Sequence, residues 1–422
     1  MRVSNVILCE CVRTDAFYPF SILHTLWELR IGAISTIDKV RRFFPAARIN
    51  FHGRPKQIAS FRERFKVPVL EVAEGDILIM RADILFNTEL YNWLNSIIAG
   101  RQQSEGTGGI VRLESDGAMI GMYLPASKVR PEWRNDIDRL TDFGDDIYHE
   151  ASIINIPTTM PAYLWHCINL CGEALADDLA ILRATPDHEA LKQPGVYAIN
   201  PANIHIGNNV SIAPTAVLDA SEGPIIIDDN AVIMPQATIL GPAFIGAHST
   251  VKIGAKIYGG SNIGPVCKVG GEIEASIIHG YSNKQHDGFL GHSFLGEWVN
   301  IGADTNTSDL KNNYTTVKVS LPMGPVDTGS LFLGVLMGDH TKTGINTMLN
   351  TGSVVGVSCN IFGGDYCKKT MPSFSWGCGD GSTIFSIERA LNLARTVMAR
   401  RGKTLAENEE LLLRMEYEEC YD

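Results

Sequence analysis

Two polar residues near the middle of the chain, His286 and Asn300, have the types and spacing that acyl transfer requires. His286 lies in the run SNKQHDGFLG, and Asn300 follows 14 residues later in EWVNIGADTN. A histidine can remove a proton from an attacking amine or hydroxyl at neutral pH, and amide N–H groups can stabilise the oxyanion that forms. The sequence therefore predicts His286 as a general base and Asn300 as its catalytic companion. Either Asp287 or Asp304 is available to orient the imidazole.

The alternative for His286 is an ordinary histidine in a surface loop, since the chain has 11 histidines. His340, in MGDHTKTGIN, is the second candidate for the base. It lies within regular repeats, where a histidine at a corner is unremarkable. His292 lies inside a regular unit and ranks lower still.

The elements that must position these residues are six-residue repeats between about 204 and 362. Each unit opens with an aliphatic residue and carries a small residue or valine at its fifth place. Such a period predicts a parallel β-helix, in which three units make one triangular coil and the opening side chains stack inside. A β-sandwich would instead show turns every 8–12 residues. The units start at Ile206, Ile212, Ile227, Ile233, Ile245, Ile263, Val269, Leu290, Leu295, Ile301, Met337, Thr343, Leu349 and Val355.

This repeat resembles that of the hexapeptide-repeat acyltransferases. The resemblance implies a left-handed β-helix, a homotrimer, and acyl-CoA, such as acetyl-CoA, bound in the groove between neighbouring helices. A repeat solenoid can also be a passive scaffold. The segments 279–289 and 303–332 do not keep the six-residue period, and loops that leave a rigid scaffold often carry function.

Composition separates the repeats from the rest and excludes several classes of protein. Arginine is absent between Arg183 and Arg389, and the formal net charge of the chain is -11. An acidic chain is a poor partner for nucleic acid. The odd number of cysteines, 9, without a CxxC pair, argues against a zinc site or an oxidised framework. With no apolar run long enough for a membrane span, we expect a cytoplasmic protein without a membrane partner.

The first part of the chain alternates strand and helix patterns. Strands are predicted at 3–8, 48–52 and 76–80, and helices at 37–44, 55–65 and 88–99. This alternation is typical of a doubly wound α/β domain. We predict three domains: an α/β domain over 1–195, the β-helix over 196–382 and a C-terminal helical segment over 383–422.

A closer resemblance surrounds His286. HDGFLG followed by NIGADT is similar to a stretch of the bifunctional N-acetylglucosamine-1-phosphate uridyltransferases/glucosamine-1-phosphate acetyltransferases. The resemblance assigns His286 as the base and matches Asn300 to an asparagine of that family. Phe289 takes the place of a tyrosine that contacts substrate. The family carries a substrate-binding lysine about a dozen residues before the histidine, where this chain has Glu274 and Ala275, and Lys284 is the candidate to replace that lysine.

The motifs VRTDAFYPF, WELRIG, GDILIMRADIL and LWHCINLCGEALADDLAIL resemble the sugar nucleotidyltransferase-like proteins fused to a left-handed β-helix. The resemblance implies a glycosyltransferase-A-like domain that forms a sugar nucleotide with Mg²⁺. Asp83 stands where such enzymes bind the metal, and Arg13 and Arg30 stand where phosphate or sugar is bound. Carboxylate oxygen suits Mg²⁺, and guanidinium suits phosphate. This chain differs from that family at Cys9–Val12. These residues stand in place of the family's glycine-rich phosphate loop, and they include a carboxylate, Glu10.

The sequence thus predicts a trimeric transferase in amino-sugar nucleotide metabolism, acting on an amino-sugar phosphate and acyl-CoA. The first domain either transfers a nucleotide or only binds one. The alternative is a non-catalytic trimeric scaffold or sensor with a degenerate nucleotidyltransferase domain.

Overall fold

The computed structural model describes residues 3–10, 13–102, 109–142, 149, 151–182 and 188–421. They form two compact units. The first comprises Met1–Thr14, His24–Leu29 and Ile34–Pro161, and the second comprises Asp15–Leu23, Arg30–Ala33 and Ala162–Asp422. The predicted domain boundaries stay predictions. Among the described residues, no helix is both long and apolar enough to span a bilayer.

The first unit is a six-stranded sheet with helices, as the α/β prediction required. Its strands lie in the order β2-β1-β3-β5-β4-β6, where β1, β2 and β3 are parallel neighbours. The strands are β1 Asn5–Cys9, β2 Arg48–His52, β3 Ile77–Arg81, β4 Val111–Ser115, β5 Ala118–Leu124 and β6 Ser152–Asn155. The helices are α1 Thr36–Phe43, α2 Pro55–Phe65, α3 Thr88–Gln102 and α4 Ile137–Leu140.

The sheet is mixed, because β4 and β5 form a hairpin. Asp116 and Gly117 link the two strands with φ angles of 47° and 77°. Two successive residues with positive φ form the tight turn that suits the twist of antiparallel strands, and Asp-Gly is a favoured sequence for it. Strand β5 therefore runs antiparallel to both β3 and β4.

The second unit is built on a left-handed parallel β-helix, which confirms the predicted architecture. Its strands stack on three faces, named here the first, second and third face in chain order. The first face holds Tyr197–Ile199, Val217–Asp219, Thr238–Leu240, Lys256–Ile257, Glu272–Glu274, Phe289–Gly291, Asn306–Thr307 and Met348–Leu349. The second face holds Ile204–Ile206, Ile225–Ile227, Ala243–Ile245, Ser261–Ile263, Ile277–Gly280, Phe294–Glu297, Val335–Met337, Ser353–Val355 and Thr370–Met371. The third face holds Ser211–Ile212, Val232–Ile233, Thr250–Val251, Lys268–Val269, Asn283–Lys284, Lys342–Thr343, Asn360–Ile361 and Ser375–Trp376, with Thr383–Ile384 added antiparallel.

The inward side chains of the repeats form continuous aliphatic stacks, as predicted. On the second face, residues in register run through eight coils and all are buried: Ile227, Ile245, Ile263, Ile278, Leu295, Met337, Val355 and Met371. The corners between faces need positive φ, which Asn209 and Asn230 adopt at 55° and 59°. Asparagine tolerates this conformation better than most residues.

The two segments that lose the period behave differently from each other. Residues 279–289 stay within the coil, since Asn283–Lys284 pairs with Lys268–Val269. The prediction that this segment leaves the scaffold was wrong. The second segment does leave: after Asn306–Thr307 the chain forms an antiparallel hairpin of Lys318–Leu321 and Gly324–Asp327 before it re-enters at Val335.

Helices flank the β-helix within the second unit. Helix α5, Leu164–Leu182, packs on strands Ala243–Ile245, Ser261–Ile263 and Phe294–Glu297, and α6, His188–Leu191, follows it. The C-terminal segment consists of two packed helices, α7 Ile387–Ala399 and α8 Glu407–Tyr421. Gly402, with φ of 65°, separates them.

Candidate functional site

His286 is exposed at the corner that joins the third face to the first. Lys284 precedes it on strand Asn283–Lys284, and Phe289 opens the next strand. The backbone of this corner is held by the coil that follows, because Asp304 donates its N–H to the carbonyl of Asp287 at 3.0 Å. The imidazole therefore projects from a fixed backbone with access to solvent, as a base that meets a diffusing substrate must.

Lys284 does not face outward. It is in register with Val269 and occupies an inward position in the aliphatic stack, with 1% of its surface exposed. Its ammonium reaches the corner from inside and donates to the carbonyl oxygens of Gly270 at 3.0 Å and His286 at 2.7 Å. Burial lowers the pKa of Lys284 to about 8. In this structure the lysine holds the His286 corner from inside the coil.

Asn300 lies one coil further along the third face, where it bridges Asn283 and Lys342 in the ladder. Its side-chain oxygen lies 3.5 Å from the amide nitrogen of Asn283. Arg401 donates to the side-chain Oδ1 of Asn283 at 3.3 Å. Asn300 therefore lies on the third face one coil after the strand that leads into the His286 corner.

Phe289 leans toward Gly291 along the first face. A Cβ atom added to Gly291 would lie 2.5 Å from the Phe289 ring and 2.2 Å from Oδ2 of Asp309. Only glycine leaves space for both groups at this position. The predicted substrate contact Phe289 thus has a carboxylate as its neighbour.

That carboxylate belongs to a histidine–aspartate pair that the sequence analysis did not single out. Nδ1 of His292 lies 2.8 Å from Oδ2 of Asp309, and the imidazole stacks on Phe332 with ring centroids 5.1 Å apart. The signal available in the sequence was the spacing of 17 residues, close to one coil of three six-residue units. Residues one coil apart lie side by side.

His340, the second candidate for the base, is a corner residue with φ of 60°, as its place in the repeat suggested. It is 3% exposed, and its Nε2 lies 3.4 Å from the carboxylate of Glu409 in α8. Trp298 stacks beside it. Its surroundings indicate a packing contact between the β-helix and the C-terminal helices.

In the first unit, Asp83 follows β3 as predicted, but both of its carboxylate oxygens accept from Arg81, at 2.9 and 2.6 Å. A bidentate guanidinium already neutralises this carboxylate, which is 4% exposed. The residues described here therefore do not fit a Mg²⁺ ion at Asp83. Arg13 is exposed in the first unit, whereas Arg30 belongs to the second, where it donates to the carbonyl of Ala33 at 2.7 Å.

Glu10 stands at the carboxyl end of β1, where open α/β sheets bind their ligands. Its carboxylate, with 2% of the side chain exposed, accepts from the backbone N–H groups of Leu26 and Arg54, each at 3.0 Å. The Arg54 guanidinium adds contacts of 3.0 and 2.7 Å. Arg54 is the residue from which α2 begins. The Glu10 carboxylate thus occupies the N–H groups that could otherwise bind a phosphate. Cys11 and Val12 lie outside the described residues.

A second buried carboxylate, Glu28 of the WELRIG motif, strengthens this part of the first unit. It lies 2.7 Å from Arg64 and 3.1 Å from Nδ1 of His24. Burial alone would raise the pKa of Glu28, but Arg64, His24 and the Thr25 backbone outweigh it and lower the pKa to about 2. The acidic residue of the motif therefore serves the internal structure of the unit.

Sequence comparison finds partial similarity to bifunctional proteins. No protein-family model matches the chain. The chain is 29% identical over 172 residues to the bifunctional protein GlmU of Synechococcus elongatus, covering 40% of this chain and 33% of that protein. It is 32% identical over 93 residues to the bifunctional sugar-1-phosphate nucleotidylyltransferase/acetyltransferase of Sulfurisphaera tokodaii, covering 22% of this chain and 23% of that protein.

Among solved structures, an Arabidopsis UDP-N-acetylglucosamine acyltransferase aligns with 50% of this chain and 77% of its own, with 15% identity and a TM-score of 0.29. The chain spans a third or less of the length of the two curated relatives above. The predicted resemblance to bifunctional nucleotidyl- and acetyltransferases is confirmed.

Proposed function

We propose that this protein transfers an acyl group from acyl-CoA, such as acetyl-CoA, to the amine of an amino-sugar phosphate, and that the β-helix carries the reaction. The observation that carries the proposal is His286, exposed on a corner that Lys284 and the following coil hold in place. The similarity to bifunctional proteins with an acetyltransferase half supports it. The proposal includes a homotrimer.

In the proposed reaction His286 takes a proton from the attacking nitrogen while that nitrogen forms a bond to the thioester carbonyl. Asn300 and backbone N–H groups stabilise the oxyanion. The C–S bond then breaks, and the proton passes to the thiolate, which leaves as CoA thiol. Lys284 serves as a positioning residue, because its ammonium bonds the His286 carbonyl.

The test measures thiol release from acetyl-CoA with glucosamine 1-phosphate for the wild type, His286→Ala and His248→Ala. His248 is an exposed histidine at another corner of the β-helix and is the matched control. We expect His286→Ala to lower kcat by about 100-fold or more and His248→Ala to leave it unchanged. Equal, negligible rates in all three proteins would contradict the acetyltransferase function and favour a scaffold.

For the first unit two functions remain as candidates, nucleotidyl transfer and a non-catalytic role. The similarity to the Sulfurisphaera sugar-1-phosphate nucleotidylyltransferase/acetyltransferase supports the first. The Glu10 carboxylate among the phosphate-type donors and the Arg81–Asp83 pair favour the second, which we propose.

The non-catalytic role of the first unit is tested by measuring pyrophosphate release from UTP or dTTP with a sugar 1-phosphate and Mg²⁺. We expect a background rate for the wild type and for Asp83→Asn alike. A wild-type rate that Asp83→Asn abolishes would contradict the non-catalytic role and restore Asp83 as a metal ligand. Thiol release in the same preparation verifies that the protein is folded.

A further inference from the structure

Two cationic side chains lie beside Asn283, near the start of its third-face strand. Arg401, in the turn between α7 and α8, donates to Oδ1 of Asn283 at 3.3 Å. Lys268 is in register with Asn283 one coil earlier. Both strand side chains point outward, because the next residues along the two strands, Val269 and Lys284, face the core. The guanidinium and the ammonium therefore reach the same part of the outer surface.

The turn that carries Arg401 is fixed to the rest of the second unit. The N–H groups of Arg401 and Lys403 both donate to the carbonyl of Met398, at 2.9 and 3.0 Å. Met398 is 4% exposed and packs in the cluster formed by α7, α8 and the coils. Lys403 also lies over the Tyr281 ring, with its Nζ 5.7 Å from the ring centre, and Tyr281 stacks on Trp298. The backbone of this turn is therefore held against the coils.

Among the residues that the structure describes, neither Arg401 nor Lys268 forms an ion pair. By contrast, Arg395 of α7 and Arg414 of α8 are both paired with Glu410. The hydrogen bond from Arg401 to a neutral amide oxygen leaves further guanidinium N–H donors for a ligand. These cations without a carboxylate partner distinguish this part of the surface in a chain whose net charge is -11.

The charged groups around these cations leave an excess of positive charge. Burial raises the pKa of the Cys267 thiol, next to Lys268, to about 12, and the Glu297 carboxylate acts in the same direction. Arg30 and Arg401 act to lower it. Two guanidiniums and one carboxylate therefore lie within electrostatic range of this coil, in addition to the Lys268 ammonium. The carboxylate of Glu297 already has a histidine partner at 3.3 Å.

The opposite end of strand Asn283–Lys284 carries mostly negative charge. The groups within electrostatic range of the Lys284 ammonium at that end include three carboxylates and one lysine: Asp287, Asp304, Glu272 and Lys256. Two coils beyond Asn283 on the same face, Lys342 adds positive charge, and its Nζ donates to the backbone carbonyls of Trp298 and His340. Along this strand an anion is therefore favoured at the end where Arg401 lies.

We propose that Arg401 and Lys268 bind the phosphate or pyrophosphate group of a small phosphorylated ligand, with Asn283 beside them as a neutral hydrogen-bonding group. The planar guanidinium can donate two parallel hydrogen bonds to two phosphate oxygens, whereas the ammonium acts as a point charge. CoA and sugar phosphates both carry such a group. Binding here requires no acyl transfer, so the site is independent of the proposed function.

Isothermal titration calorimetry with inorganic pyrophosphate at low ionic strength tests the site in the wild type, Arg401→Gln, Lys268→Gln and Arg400→Gln. Glutamine removes the charge and keeps a polar side chain. Arg400 is exposed and adjacent to Arg401, so it is the matched control. We expect the dissociation constant to rise about 10-fold or more for Arg401→Gln, to rise less for Lys268→Gln and to stay unchanged for Arg400→Gln. Added salt should weaken binding by the wild type.

Arg401→Lys separates loss of the phosphate contact from loss of the fold. This variant keeps the charge and loses the planar fork, so it should bind pyrophosphate more tightly than Arg401→Gln and less tightly than the wild type. Equal affinity of the wild type and Arg401→Gln, or no binding by the wild type, would overturn the site.

Parallel titrations with CoA and with glucosamine 1-phosphate identify the source of the phosphate group. The ligand that uses this site should lose affinity in Arg401→Gln, while a ligand bound elsewhere should not. Loss of affinity for pyrophosphate alone would reduce the site to adventitious anion binding and overturn the proposal. A protein that releases no thiol but still binds either compound through Arg401 would reject the proposed acyl transfer and keep this site.

Discussion

At the scale of single residues, the buried ammonium of Lys284 has the clearest consequence. The side chain occupies an aliphatic position of the β-helix core and donates to two carbonyls. Burial lowers its pKa from 10.5 to about 8, although Asp287, Asp304 and Glu272 act in the opposite direction. At pH values between about 8 and 10.5, Lys284 is protonated in the unfolded chain and neutral in the folded chain. The free energy of unfolding must therefore rise with pH in this window.

We predict that Lys284→Met removes this rise. From pH 8 to 10.5, the unfolding free energy of the wild type should increase relative to that of Lys284→Met by about 3 kcal/mol. Chemical denaturation at several pH values measures the difference. Lys256→Met, whose lysine side chain is 58% exposed, is the control and should run parallel to the wild type. Parallel curves for Lys284→Met would mean that Lys284 titrates normally in the fold.

At the scale of elements, the C-terminal helices act as a cover for part of the β-helix. Apolar residues of α7 and α8 form one cluster with Trp298, Val357 and Phe374 of the coils. In α8, Leu412 is 2% exposed and its neighbour Leu411 is 44% exposed. One face of the helix therefore carries the packing energy.

Leu412→Ala should lower the free energy of unfolding by about 3 kcal/mol, since it removes a buried side chain and leaves a cavity. Leu411→Ala should change it by less than about 0.5 kcal/mol. The two variants differ by one position in the same helix, so helix propensity is matched. Thermal and denaturant unfolding measure both. Similar values for the two variants would show that α8 does not pack as described.

At the scale of the whole molecule, one edge of the β-helix carries both exposed isoleucines and His286. Ile253 and Ile345 are 60% and 71% exposed at the corners that follow the third face. His286 lies at the equivalent corner of its own coil. An exposed apolar edge is typical of a contact surface. We therefore expect this edge to meet a neighbouring copy in the proposed homotrimer.

Sedimentation analysis should give a mass three times that of the 46.2 kDa chain. The double variant Ile253→Asp/Ile345→Asp should reduce the mass toward that of one chain and lower thiol release, because buried carboxylates without partners oppose association. Leu411→Asp, a change of the same type on α8, should leave the mass at that of three chains. A single-chain mass for the wild type would refute the trimer, and an unchanged mass for the double variant would move the interface elsewhere.

The features that the sequence determined are those that local chain periodicity sets. The six-residue period specified the β-helix and its inward stack, and the alternation in the first unit specified strand β2 and helix α2 at the bounds observed. The Asp116-Gly117 dipeptide is also a local turn signal. These patterns depend on residues close together in the sequence, so they can be predicted without the tertiary structure.

Only the tertiary structure decided which side chains meet. Lys284 reads as a solvent-facing cation, yet its register sends it into the core, and Asp83 reads as a metal ligand, yet Arg81 occupies both its oxygens. Asp309 contacts His292 because one turn of the β-helix brings residues 17 positions apart side by side. The physical reason is that a carboxylate or an ammonium takes its role from the charge and burial around it, and folding supplies both.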